Sequence, residues 1–156
     1  MHNIDPTAAS FYVSLTTLVC IPGGIVAGWV LDHTGNRKGV LATAFVIAAI
    51  LLLGAFKLGS NVLTIVLYFV ALGLTISFIP TTIYTLAPET VPDPRLAGVA
   101  LATLALGQNG GMLLGPPVIG RAVAGGSWAD GTYPMVIGSI VALIAALLVR
   151  TRAKGE

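Results

Sequence analysis

Two histidines (His2 and His33), one cysteine (Cys20), eight Lys and Arg and six Asp and Glu supply the ionisable chemistry of this 156-residue chain. General acid–base or nucleophilic catalysis needs a base beside an activated nucleophile, and zinc needs clustered Cys and His. The sequence offers neither grouping, and no glycine-rich phosphate loop followed by Lys. An enzyme, a metal site and a cofactor site are therefore not expected. The residues with distinctive chemistry fall into four short sets. Gly24, Gly28, Asp32, Gly35, Arg37 and Lys38 combine small residues, a turn former and opposite charges. Ser77, Thr81 and Tyr84 are hydroxyls at helical spacing, and Gln108 and Asn109 are adjacent amides. Gly107, Gly111, Gly115 and Pro116 form a small-residue ladder that ends in a proline. The chemistry available to these sets is ion pairing, hydrogen bonding to a solute and close approach of helices.

The elements that must carry them follow from composition. The chain is 56% hydrophobic and only 9% charged, whereas soluble domains carry roughly a quarter of their residues as charges. So few charges cannot cover a water-facing surface, and the net charge of +2 reflects no basic patch. Nucleic acid is not an expected partner; the lipid bilayer is. Crossing a hydrocarbon core takes about 20 apolar residues. Apolar stretches recur at about 8–31, 39–57, 62–86, 96–121 and 132–150, with short polar breaks between them. They lack barrel-strand alternation and are rich in Ala and Leu. The expected fold is an all-α membrane protein, one domain over 1–156 built as a bundle of five transmembrane helices.

Orientation follows from Lys and Arg. Five crossings put Arg37, Lys38, Arg95, Arg150, Arg152 and Lys154 on one side and Lys57 and Arg121 on the other. The positive-inside bias predicts an external N-terminus and a cytoplasmic C-terminus. An N-terminal end without Lys or Arg does not read as a signal peptide. A chain with five spans that starts outside suggests a missing upstream segment.

The first connection runs Gly24-x-x-x-Gly28-Trp29-Val30-Leu31-Asp32-His33-Thr34-Gly35-Asn36-Arg37-Lys38. Gly24 and Gly28 permit close helix contact, Gly35 supplies a tight turn, and the basic pair suits an anionic lipid surface. An ordinary hairpin with orienting charges would use the same residue types. The order of residues resembles the signature loop of the major facilitator superfamily, although His33 and Asn36 stand where that loop has basic residues. The resemblance implies a secondary transporter whose loop Asp packs against a helix start in the opposite half. Here that would leave Asp32 with Arg37 as its local partner.

Along the fourth span the Gly107, Gly111 and Gly115 ladder gives a smooth face, and Gly115-Pro116 is expected to break or kink the helix. The stretch resembles the glycine-rich fifth or eleventh helix of the superfamily. It departs from the antiporter pattern, because Gly120 falls one place late. Gln108 and Asn109 lie near the midpoint of the span, where polar groups need a partner or water. They read either as solute contacts or as interhelical hydrogen bonds. In the third span Gly73, Ser77, Pro80, Thr81 and Tyr84 share one broad face, either a cavity wall or hydroxyls that satisfy carbonyls freed by proline. A weaker stripe of Tyr12, Thr16 and Cys20 in the first span is expected to end at Pro22-Gly23-Gly24. The second and fifth spans read as lipid-facing supports.

The resemblance implies five of the six helices of one half of a carrier. The eighth to twelfth are favoured, because the chain ends shortly after its last span and the third span lacks an Arg. No span carries an interior charge, so charged coupling residues would lie in the missing part. The expected function is part of a secondary active transporter in a bacterial inner membrane, inactive without the missing helices. A non-transporting membrane scaffold or assembly subunit is the alternative. Ala87-Pro88-Glu89, Arg95-Leu96-Ala97-Gly98 and Gly107-Gln108-Asn109-Gly110-Gly111 resemble the cyanate and nitrate permease branch. That resemblance implies small anions or organic acids as solute.

Overall fold

The structure, a computed structural model, describes residues 6–55 and 61–149. Lys57, Arg150, Arg152 and Lys154, and with them the expected ends of the second and fifth spans, lie outside the described residues. Among the described residues the chain forms five long helices and no strand: α1 (Pro6–Thr34), α2 (Arg37–Gly54), α3 (Val62–Leu86), α4 (Ala97–Val123) and α5 (Thr132–Leu148). All five are long and apolar enough to cross a membrane.

The connections are set by side chains that replace missing backbone partners. Gly35 takes φ +65° between α1 and α2, a left-handed conformation that a residue without Cβ adopts freely. The Asn36 side chain then accepts from the Gly39 N–H at 2.9 Å, and Asn61 accepts from the Leu63 N–H at 3.0 Å. Each thereby caps a helix start that would otherwise leave donors bare. Between α3 and α4 the chain makes two 3-10 turns, Ala87–Thr90 and Pro94–Leu96, each with a proline in its first residues. Before α5 a Ser127–Asp130 capping box closes the turn Trp128–Gly131. Pro22 and Pro116 do not interrupt their helices: α1 and α4 run on through them. The carbonyls that proline frees are tolerated in a transmembrane helix where neighbours re-satisfy them.

The tightest pairing is α1 on α3. A Cβ on Gly73 would stand 2.7 Å from the Thr16 carbonyl oxygen, so the backbones touch there. Across this seam the Thr16 hydroxyl donates to the Phe69 carbonyl at 3.5 Å and the Cys20 thiol to the Gly73 carbonyl at 3.3 Å. Tyr12 stacks on Phe69 with ring centroids 6.5 Å apart. The stripe Tyr12, Thr16 and Cys20 is thus the near end of the α1 contact face, which continues through buried Gly23, Ala27 and Leu31. On the other flank α2 packs against both α3 and α5. Leu41, Leu86 and Ala146 form a core there, with Phe45, Ile79 and Ile83 against it.

Helix α4 stands apart. It has no buried residue. It meets the rest of the chain chiefly through the 3-10 turns at its two ends and touches α5 only lightly along its length. Between α3, α4 and α5 a groove of about 1000 Å³ remains open, with the core residues Leu41, Leu86 and Ala146 in its wall.

Candidate functional site

The loop set is gathered at the end of the bundle where α1 stops, α2 and α4 start, and α3 and α5 finish. Gly24 and Gly28 lie on successive turns of α1. A Cβ on Gly24 would just reach the Thr81 hydroxyl at 4.0 Å, whereas one on Gly28 would meet nothing within 4 Å. His33 donates from Nδ1 to the Trp29 carbonyl at 2.9 Å, and its ring lies 4.3 Å from that of Trp29. His33 therefore closes the last turn of α1.

The basic pair at the start of α2 reaches two different elements. The Arg37 guanidinium forms a partly buried ion pair with Glu89, in the 3-10 turn after α3. Lys38 donates from Nζ to the Val149 carbonyl at 2.8 Å, just beyond the end of α5. A cation there satisfies a bare carbonyl and opposes the negative end of the helix dipole. The expectation that Arg37 pairs with Asp32 is corrected: Asp32 is exposed and forms no ion pair among the described residues. Asp32 sits on the last turn of α1, while Arg37 opens α2 and points to the end of α3. Glu89 is the partner that sequence reasoning missed. The available signal was topological, since an acid just after the third span must share a membrane face with the basic pair.

The third-span stripe divides between two neighbours. Ser77 is buried; its hydroxyl donates to the Leu74 carbonyl at 2.6 Å and sits where a Cβ on Gly23 would fall. Thr81 donates to the Ser77 carbonyl at 2.8 Å and lies beside Gly24. Both hydroxyls thus belong to the α1–α3 seam, and Thr81 engages a carbonyl on the turn before it. Tyr84 turns the other way and donates to Gln108 Oε1 at 2.8 Å, joining α3 to α4. Asn109 is exposed and donates to the Ala105 carbonyl of its own helix at 2.8 Å. The ladder residues Gly107, Gly111 and Gly115 have nothing within 4 Å of a built Cβ, and Pro116 is exposed. The smooth face is therefore open.

The arrangement comprises an ion-paired loop at one end, a single cross-helix hydrogen bond between α3 and α4, and an open apolar groove with glycines beside it. No group of His, Cys, Asp and Glu able to hold a metal occurs among the described residues. These are features of a bundle of helices long and apolar enough to cross a membrane.

Comparison with known proteins agrees. The chain is 35% identical over 123 residues to the uncharacterized MFS-type transporter YuxJ of Bacillus subtilis (strain 168). The alignment covers 76% of this chain and 28% of that relative, so the chain spans little more than a quarter of it. No solved structure matches the chain significantly. The sequence pattern of the Major Facilitator Superfamily matches over residues 1–156, and with five helices long and apolar enough to span a membrane among the described residues, the chain belongs to that superfamily.

Proposed function

We propose that the chain is part of a secondary active transporter that moves a small solute by alternating access, and that it transports nothing without the remaining helices. The loop geometry carries this reading. Gly35 turns the chain, Arg37 ties the start of α2 to the end of α3 through Glu89, and Asp32 is left exposed at the rim. The α1–α3 seam and the packing of α2 on α3 and α5 make these helices one packed unit, as rocking of one bundle against another requires. Asp32 then engages the opposing bundle in one of the two states. The orientation is N-terminus outside and C-terminus in the cytoplasm of a bacterial inner membrane. It is supported by Arg37, Lys38 and Arg95 at one end of the bundle and Arg121 at the other. The register is the eighth to twelfth helices.

The solute is a small anion or organic acid, and Asn109 stands on the solute path. Its side chain lies on an exposed α4 face with Leu106 and Leu113, about 100° around the helix from the Gln108–Tyr84 bond. Ser77 and Thr81 serve the same path indirectly, by holding α3 on α1. No enzymatic step is proposed. The test is uptake into proteoliposomes, with the intact parent carrier and the 156-residue chain compared on a panel of small carboxylates and inorganic anions. Uptake by the parent alone is expected; uptake by neither, or equally by both, overturns the reading. The open face of Gly107, Gly111 and Gly115 supports the second reading, a scaffold that binds other helices. That reading predicts a stable complex with a membrane partner and no uptake.

A further inference from the structure

Helices α1 and α2 touch each other only lightly, because each is seated on α3 instead. A narrow cleft is left between them, with Leu74, Thr75 and Phe78 of α3 at its back. It runs from Thr34 and Asn36 at the loop end to Ile47, eleven residues along from Asn36, or about 16 Å at the helical rise. One leaflet's share of the hydrocarbon core is about 15 Å. The cleft holds about 470 Å³, which over that length is a cross-section of about 30 Å². A helix about 10 Å across takes up about 80 Å², so none enters. A single hydrocarbon chain takes up about 20 Å², given carbon contacts at about 4–4.5 Å, and fits.

The chemistry of the lining is graded along the same direction. Below the mouth the walls are apolar, with Val40, Ile47, Leu74 and Phe78. The hydroxyls there are already engaged, Thr43 donating to the Gly39 carbonyl at 2.9 Å and Thr75 to the Ala71 carbonyl at 2.8 Å. At the mouth the donors are free. Asn36 uses its oxygen to accept from the Gly39 N–H, which leaves its amide nitrogen, like the Thr34 hydroxyl, without a partner among the described residues. Both side chains are exposed, at the end of the spans where lipid ester and phosphate oxygens lie. No charged side chain lines the cleft among the described residues, since Arg37 reaches Glu89 and Lys38 the Val149 carbonyl. We propose that the cleft seats one acyl chain of a glycerophospholipid from that leaflet. Its ester and phosphate oxygens accept from Asn36 and Thr34, and headgroup charge plays no part in selection. The seated chain fills between α1 and α2 the space that side chains fill between α1 and α3. This requires only the bilayer and goes beyond the transporter reading, which can fail without it.

The test places the full chain in phosphatidylcholine nanodiscs that carry a trace of the same lipid with a diazirine midway along one acyl chain. Irradiation followed by peptide mass spectrometry locates the label. The reference is Ile144 of α5, exposed to the bilayer and as far from Val149 as Thr43 is from Lys38. Labelling at Thr43 and Ile47 is expected to exceed that at Ile144 at least about threefold, within reach of one or two hydrogen bonds. Thr43→Phe fills the cleft and should remove the excess. Val46→Phe, on α2 but outside the cleft, should leave it. Asn36→Ser keeps an oxygen to cap α2 and loses the amide donor; combined with Thr34→Val it should lower the excess at least about twofold. A phosphatidylglycerol probe should give the same excess as phosphatidylcholine. Equal labelling at Thr43 and Ile144 means bulk lipid only and overturns the proposal. So does an excess that the filled cleft or the double variant leaves in place, or one confined to a single headgroup. Circular dichroism reports whether each variant keeps its helices, and where Thr43→Phe does not, Ile47→Phe fills the deeper end instead.

Discussion

Gly73 and Gly28 are the same residue type on adjacent helices, and the space around them makes them opposites. A methyl on Gly73 would press on the Thr16 backbone at 2.7 Å, whereas one on Gly28 enters open space. Gly73→Ala should therefore destabilise the chain by about 1–3 kcal/mol, the usual cost of overpacking. Gly28→Ala should shift stability by less than about 1 kcal/mol, since it also removes the entropic cost of glycine in a helix. Thermal unfolding of the two variants in the same detergent checks this, and equal effects would contradict the close seam. The Arg37–Glu89 pair makes a second residue-scale prediction. Because both side chains are partly exposed at the bundle end, their coupling in a double-mutant cycle should be about 1 kcal/mol or less. The charge swap Arg37→Glu with Glu89→Arg should recover most of what either single reversal loses. A swap no better than its parts would mean that the contact is incidental.

At the scale of elements, two polar contacts besides the Arg37–Glu89 pair fix the start of α2. Asn36→Ala removes the acceptor for the Gly39 N–H and should cost about 1 kcal/mol. Lys38→Met should cost little overall, but should speed amide hydrogen exchange in the last turn of α5, because the Val149 carbonyl loses its donor. Exchange unchanged at 145–149 would remove Lys38 from the cap. The helices themselves were legible in the sequence, because charge-free runs long enough to cross a bilayer admit few other structures. Their ends were less so. Helix α1 continues past both the expected start and the expected end of its span, and Pro22 leaves it helical. The site was half legible. Spacing shows that Ser77, Thr81 and Tyr84 are on one broad side of α3, but not which neighbour that side meets. The structure divides them between α1 and α4. Glu89 stands 52 residues from Arg37, and no local pattern links them.

At the scale of the molecule, the chain is ion-paired at one end and carries an open groove beside α4. In an intact parent carrier, Asp32→Asn should change the balance between inward-open and outward-open forms and leave the fold intact. Cysteine-accessibility labelling on the two membrane faces reads that balance, and an unaltered pattern would remove Asp32 from the interface. Apart from the Tyr84–Gln108 bond and a light contact with α5, α4 is held mainly through the turns at its ends, and its residues are all at least partly accessible. Bilayer pressure from the side is then what keeps this rod upright, more than any neighbour does. A harsh, short-chained surfactant should therefore free α4 to swing outward on its two turns before α1 leaves α3, and trypsin should cut first at Arg95 and Arg121, the two exposed basic residues that frame it.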